Sequence, residues 1–231
     1  MTEQNISAFS NGVVKIKGGM KMSAKIEVLE IKEVKPQIMT VHIVGDSDLV
    51  LNKMNDVTTR QLVDARKDKA KKIEKPNMWE EIITAIHWRD GKPTEFSEES
   101  MAEALTNNAP CVTAFGLKKA FGEAVVRLGI DTYSTKFDAS VNILASGGLV
   151  PIKFAEHYVD EKLMSPKKGA PVLVHLNRFV GWSADIQISY IDSVYSAEQL
   201  LNVINLAGFG IGIGSGRRSC GYGRYHVEGI K

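Results

Sequence analysis

The stretch Leu206–Tyr225 reads LAGFGIGIGSGRRSCGYGRY. It holds seven of the chain's 20 glycines, together with Arg217, Arg218, Arg224 and the aromatics Phe209, Tyr222 and Tyr225. Glycine at this density removes side chains, so backbone N–H groups can approach a ligand and positive φ is free. Successive amides of that kind form anion-binding concavities. Arginine adds a planar fork suited to phosphate, and tyrosine a face on which a base can stack. The same composition also suits a turn packed tightly between a helix and a strand, with its arginines merely solvated. Both readings stand on the residues alone. A dinucleotide fingerprint is excluded, because it follows a strand and opens a helix, whereas here a helix precedes the glycines and a strand follows. No G-x-x-x-x-G-K-[ST] occurs, which excludes a P-loop.

Upstream of the glycines, Ser196–Ala207 predicts a helix. Ser196 and Gln199 form a capping box, and Leu200, Leu201, Val203, Ile204 and Ala207 make a buried stripe. Downstream, Arg224–Ile230 predicts the last strand. Ser183–Tyr190 alternates cleanly, with Ala184, Ile186, Ile188 and Tyr190 inward. Trp182 before it reads as a core anchor or, less simply, as a base platform. Leu149–Phe154 and Val172–Leu176 are further strands, and the polar span between them reads as a hairpin-like protrusion. Ala114–Leu128 carries Phe115, Leu117, Ala120, Phe121, Ala124, Val125 and Leu128 at helical spacing, with Lys118, Lys119 and Arg127 off that stripe. Lys118 and Lys119 sit together, as a phosphate contact or a solvated face would have them.

Earlier in the chain, Ile38–Val44 is β-branched and apolar and predicts a central strand containing His42. Val13–Lys17 and Lys25–Ile31 are shorter strand-like patterns. Asn55–Lys75 is helix-forming and basic. Between Arg60 and Lys75, Arg60, Arg66, Lys67, Lys69, Lys71, Lys72 and Lys75 outnumber the acidic Asp64, Asp68 and Glu74. With so few apolar residues it buries no large face. It is a solvated segment, or one that orders over a nucleic-acid backbone. Asn77–Trp88 is a short amphipathic helix with Trp79, Ile82, Ile83 and Ile86 on one side. Phe96–Thr106 is an acidic helix.

The totals narrow the classes. A chain of 231 residues at 44% hydrophobic carries one good core, with or without an insertion. A net charge of +2 means that an anionic partner is met by a local patch and not by the whole surface. Cys111 and Cys220, with no C-x-x-C, give neither a zinc ribbon nor a disulfide framework. No carboxylate cluster points to a metal, and no cofactor motif is present. No apolar run reaches the roughly 18 residues of a membrane span, and the N-terminus lacks the regions of a signal peptide. A soluble, cytoplasmic protein is expected.

The strong elements, strand 38–44, helix 114–128, strand 149–154, strand 183–190, helix 196–207 and strand 224–230, give the order β-α-β-β-α-β. This predicts an α+β fold with a ferredoxin-like (RRM-like) core. The whole chain is expected to form a single domain, with a basic, helical insertion at about 50–110 and the glycine-rich loop before the last strand. One face of the sheet is covered by the two helices and the other is free.

A glycine-rich loop at that place resembles the RAMP superfamily, which includes the guide-RNA-binding backbone subunits of CRISPR effector complexes. The segment from Leu149 to Val227 is also similar to an uncharacterised family of phage and prophage proteins. That likeness rests on Val150-Pro151-Ile152, Gly181-Trp182-Ser183-Ala184, Glu198–Ala207, Gly208–Gly214 and Gly221–Tyr225. The extended thumb of a CRISPR backbone subunit has no evident counterpart here. The resemblance implies an RNA-recognition-like fold in a bacterial host that grips single-stranded nucleic acid and polymerises along it.

Three functions follow as expectations. The first is non-catalytic, largely sequence-independent binding of single-stranded DNA or RNA, with self-association into an oligomer or filament and no membrane partner. Its expected contacts are Gly212, Gly214, Gly216, Arg217, Arg218, Tyr222, Arg224, Arg66, Lys67, Lys69, Lys71, Lys72, Lys118 and Lys119. The second is a phage interaction protein that mimics or blocks a CRISPR or host nucleic-acid complex. The third is a metal-independent RAMP-type ribonuclease, for which His42 or His226 would supply acid–base chemistry.

Overall fold

Strand β1 (Gln37–Gly45) is an interior strand of the larger sheet, flanked on both sides by antiparallel partners. The computed structural model describes residues 34–67, 77–164 and 171–231. The strand-like patterns at Val13–Lys17 and Lys25–Ile31 lie outside the described residues, as do Lys69, Lys71 and Lys72.

After β1 come strand β2 (Leu49–Leu51), helix α1 (Asp56–Lys67) and helix α2 (Met78–Thr84). Strand β3 (His87–Trp88), helix α3 (Glu98–Asn107) and strand β4 (Pro110–Thr113) follow. The region expected to be a helical insertion therefore also contributes three strands. Helix α4 (Ala114–Arg127) leads into α5 (Thr135–Ser140) and β5 (Val141–Leu144), two short elements that the sequence reading leaves out. Then come β6 (Leu149–Lys153), the hairpin of β7 (Glu156–Met164) and β8 (Val172–Val180), β9 (Ser183–Tyr190), α6 (Ala197–Gly210) and β10 (Tyr225–Ile230).

Among the described residues the larger sheet has seven strands, in the order β10-β1-β9-β6-β4-β3, with β5 also paired to β9. β2, β8 and β7 form a second, three-stranded sheet. The fold is thus α+β with antiparallel sheets. Register follows burial. In β9 the alternation puts Ala184, Ile186, Ile188 and Tyr190 inward, and β1 sets Val41 and Ile43 against the same core. Helices α4 and α6 add Leu117, Phe121, Val125, Leu200, Val203 and Ile204 to that core, at the i, i+3, i+4 spacing of one helix face. The capping box at Ser196 and Gln199 forms as the residues require.

Two members of the α4 stripe do not join the core. Phe115 is 75% exposed and Leu128 44%. Phe115 stands two positions before Leu117, and residues two apart on a helix point away from each other. Leu128 falls on the stripe but forms the C-cap, beyond the last turn. Trp182 is fully buried, edge-on to Tyr225 with ring centroids 6.1 Å apart.

The outer face of the sheet carries His42, Asp185, Gln187, Glu228 and Lys153, and none of the outward positions of β1, β6, β9 and β10 is Phe, Tyr or Trp. The rings it carries are the imidazoles of His42 and His226, each held against a carboxylate.

Candidate nucleic-acid interface

Helix α6 continues through Gly210, so Gly208, Phe209 and Gly210 are helical and the irregular segment spans Ile211–Arg224. Gly208 is required by closeness: a Cβ there would lie 2.0 Å from the Tyr225 carbonyl oxygen. The segment is stitched to its surroundings. Ile213 N–H donates to Gly223 O at 2.9 Å, Ser215 N–H to Val50 O at 2.8 Å and Gly223 N–H to Asp48 O at 2.8 Å. Arg224 N–H donates to the Ser47 hydroxyl at 2.9 Å. Among the described residues the amides of Gly214, Gly216, Arg217, Arg218 and Ser219 have no acceptor within the protein. The packed turn and the presentation of free amides are therefore two parts of one loop, anchored at its ends and at Ser215.

The arginines divide in the same way. Arg217 donates to Glu123 at 3.0 Å and to Gly212 O at 3.2 Å, and Arg218 donates to Glu123 at 2.7 Å. Arg127, one turn further along α4, meets the same carboxylate at 2.8 Å. Three guanidinium groups share one carboxylate that is only 12% exposed. Two positive charges are left in excess at one spot, and the Arg127 and Arg218 side chains are largely exposed. Arg224 turns back, donating to Phe209 O at 2.9 Å, and holds the loop instead of facing outward.

Tyr222 is also committed. The Arg178 guanidinium of β8 lies 4.8 Å from its ring centroid and 5.2 Å from that of Tyr158, while a Cβ at Gly216 would come within 2.7 Å of the same Tyr222 ring. The tyrosine expected to stack on bases instead locks the loop to the β7–β8 hairpin. Arg178 also meets Asp48 at 2.6 Å and Asp160 at 3.0 Å.

On α4, Lys118 donates to Asp138 O at 2.7 Å and to Asn142 at 2.9 Å, so its charge is partly engaged. Lys119 is exposed, and its ammonium lies 6.0 Å from the Phe115 centroid. Lys119 lines two adjoining clefts. One, of about 600 Å³, includes Phe115, Lys118, Arg127 and Arg218. The other, of about 240 Å³, includes Lys53, His87, Gly214 and Arg217. Of the expected contacts, then, Gly214, Arg217, Arg218, Lys118 and Lys119 come together around α4. Gly212 is buried, Gly216 is exposed beside Tyr222, and Arg66 is exposed on α1, which Lys67 closes. At the start of that basic segment Arg60 pairs with Glu80.

Lys53, His87, Phe115 and Arg127 line the same clefts but are not among the expected contacts. Phe115 could have been found from its helical angle; Lys53 and His87 carry no local signal. Burial pushes the Cys111 thiol up to about 11, with Asp90 adding and Arg89 opposing. Burial, helped by the Lys53 charge, lowers His87 below the ordinary imidazole value.

The two histidines weighed for acid–base chemistry stand on the outer sheet face. His42 Nδ1 lies 2.6 Å from Asp185 and Nε2 lies 3.3 Å from Glu228. His226 Nδ1 lies 2.6 Å from Asp46. Neither lines the two clefts. Among the described residues no group of three or more His, Cys, Asp or Glu side chains is placed to hold a metal ion, and no helix is long and apolar enough to cross a membrane.

No family model and no curated protein matches this chain. Among solved structures it is similar to a chain in the cryo-EM structure of the Type III-B Cmr-beta bound to cognate target RNA, at 14% identity and a TM-score of 0.45, over 85% of this chain and 60% of that one. It is also similar to Cmr6 from Pyrococcus furiosus, at 10% identity and a TM-score of 0.38, over 84% of this chain and 100% of that one.

Proposed function

We propose that this chain binds single-stranded nucleic acid without cleaving it and largely without regard to sequence, along the groove between α4 and the glycine loop. The observation that carries the reading is the set of Arg127, Arg217 and Arg218 on the single Glu123 carboxylate, flanked by Lys119. Such a site holds surplus positive charge with fixed direction, which suits a phosphate backbone. The free amides of Gly214 and Gly216 add donors, and exposed Phe115 adds a ring for stacking, worth about 1–3 kcal/mol per base. In the larger cleft nothing is arranged as a base-edge reader.

The order β10-β1-β9-β6, with α4 and α6 packed into one core, supports a ferredoxin-like arrangement with the glycine loop before its last strand. Self-association along the strand completes the reading, so that bound copies form an oligomer or filament.

Fluorescence anisotropy with labelled single-stranded DNA, single-stranded RNA and duplex DNA at two salt concentrations tests it. Single strands bind and duplex does not, and affinity falls with salt at a slope of about 0.7 per phosphate contacted. Lys119→Glu combined with Arg218→Glu abolishes the binding. Equal binding of duplex, or an unchanged double variant, refutes the assignment. Sedimentation with strands of increasing length reports whether copies add along the strand, and a single protein per long strand refutes the filament.

A further inference from the structure

The smaller cleft has a composition that a backbone groove alone does not need. Val112, Leu117 and Ile213, all nearly fully buried, form its floor. Around its mouth stand the cations Lys53, Lys119 and Arg217, from three separate parts of the chain. Gly116 lines it too, and a Cβ there would lie 2.9 Å from the Thr113 hydroxyl that caps α4. At about 240 Å³ it is smaller than the roughly 300–1,000 Å³ of clefts that take drug-sized ligands. It holds one flat ring system, not two stacked ones.

His87 is placed beside that floor on β3, partly buried, and its imidazole makes no hydrogen bond among the described residues. Burial and Lys53 keep its imidazole neutral at pH 7, so it offers one N–H donor and one lone pair. That is the hydrogen-bonding character of a base edge's partner. An apolar floor, an uncommitted imidazole and a rim of cations together match a nucleobase with a phosphate attached.

We propose that this cleft is a binding subsite for one nucleoside monophosphate unit, its base on Val112, Leu117 and Ile213 against His87 and its phosphate on Lys119 and Arg217. The proposal rests on the strand-binding reading for its natural source, a nucleotide turned out of the strand in the adjoining groove. A free nucleotide has the same chemistry. Lys119 lines both clefts and links the two sites.

The test follows the His87 imidazole resonance in full-length chain labelled at histidine, assigned with His87→Gln. A nucleoside 5′-monophosphate shifts that resonance, whereas ribose 5-phosphate, which has the phosphate and no base, does not. Lys53→Ala combined with Lys119→Ala weakens the nucleotide titration about tenfold. A single strand shifts the same resonance while its anisotropy rises. If the strand binds by anisotropy, and neither strand nor nucleotide moves His87, the subsite is refuted and strand binding stands. If the nucleotide moves His87 and no strand binds, the subsite stands with a free nucleotide as its ligand, and the strand reading falls. A full shift from ribose 5-phosphate alone makes it an anion site and refutes the base pocket.

Discussion

Arg217 of the glycine loop donates to Glu123 of α4 at 3.0 Å across 94 residues of sequence. That one carboxylate sets both the position of the loop and the sign of the groove. Replacing it by glutamine keeps the shape and removes the charge that holds Arg217, Arg218 and Arg127. Stability falls by about 1–2 kcal/mol, moderated because Arg127 and Arg218 are solvent-screened. Strand affinity rises in the same variant, with a salt slope steeper by roughly 0.7 for each guanidinium released. Thermal melting and salt-dependent anisotropy on Glu123→Gln check both directions, and a fall in affinity contradicts the electrostatic account.

The glycines of the loop differ sharply in what they tolerate. A Cβ on Gly223 would sit 2.0 Å from Ile213 O, and the φ of Gly223 is +64°. Gly221 has φ +70° with nothing within 4 Å. Gly221→Ala therefore costs only the left-handed penalty of about 1–2 kcal/mol, while Gly223→Ala costs more than about 3 kcal/mol because backbone must move. Urea midpoints of the two variants measure the gap, and equal losses contradict it.

The Tyr225 hydroxyl is buried with no hydrogen-bond partner, and that burial raises its pKa far above the ordinary phenol value. An unpaired buried hydroxyl is a destabilising group. Tyr225→Phe leaves stability unchanged or raises it by up to about 1 kcal/mol, while Tyr225→Ala costs about 3–5 kcal/mol through the lost ring. Chemical denaturation of both variants distinguishes ring from hydroxyl.

His157 and His87 are each held below the ordinary value of 6.5, mainly by burial. Asn177 donates through its amide to Ile82 O at 2.9 Å, so its oxygen accepts from His157 at 3.0 Å. Below pH 6.5 the unfolded chain takes up protons that the folded histidines refuse. Stability is therefore full above about 6.5 and falls as pH drops toward their folded values. The stability contributed by the depressed Asp56 and Asp185 is full above 3.8 and is lost only below it. Melting temperatures at pH 7.5 and 5.0 show the loss, and His157→Gln makes it smaller.

Much of the frame was legible because it is local. The alternation of Ser183–Tyr190, the capping box at Ser196 and the apolar run of β1 each report a period that burial imposes on neighbouring residues. β3, β4 and β5 were not legible, since strands of two to four residues carry too few positions for a period. The site was legible in part. The residue types name Arg217, Arg218 and Lys119 as donors, but nothing in the sequence pairs two of them with Glu123 or sets Arg127 beside them.

Residue types and their spacing thus decided that a helix enters the glycine segment, that a strand leaves it, and that donors for an anion are concentrated there. Tertiary structure alone decided which donors remain free. Arg224 and Tyr222 look equivalent to their neighbours in the sequence, yet one is spent on Phe209 O and the other on Arg178. The reason is physical. Periodicity records which side of an element meets the core, whereas the partner of an exposed charge or ring is set by whichever segment folding brings near, 15 residues away for Arg224 and 94 for Arg217.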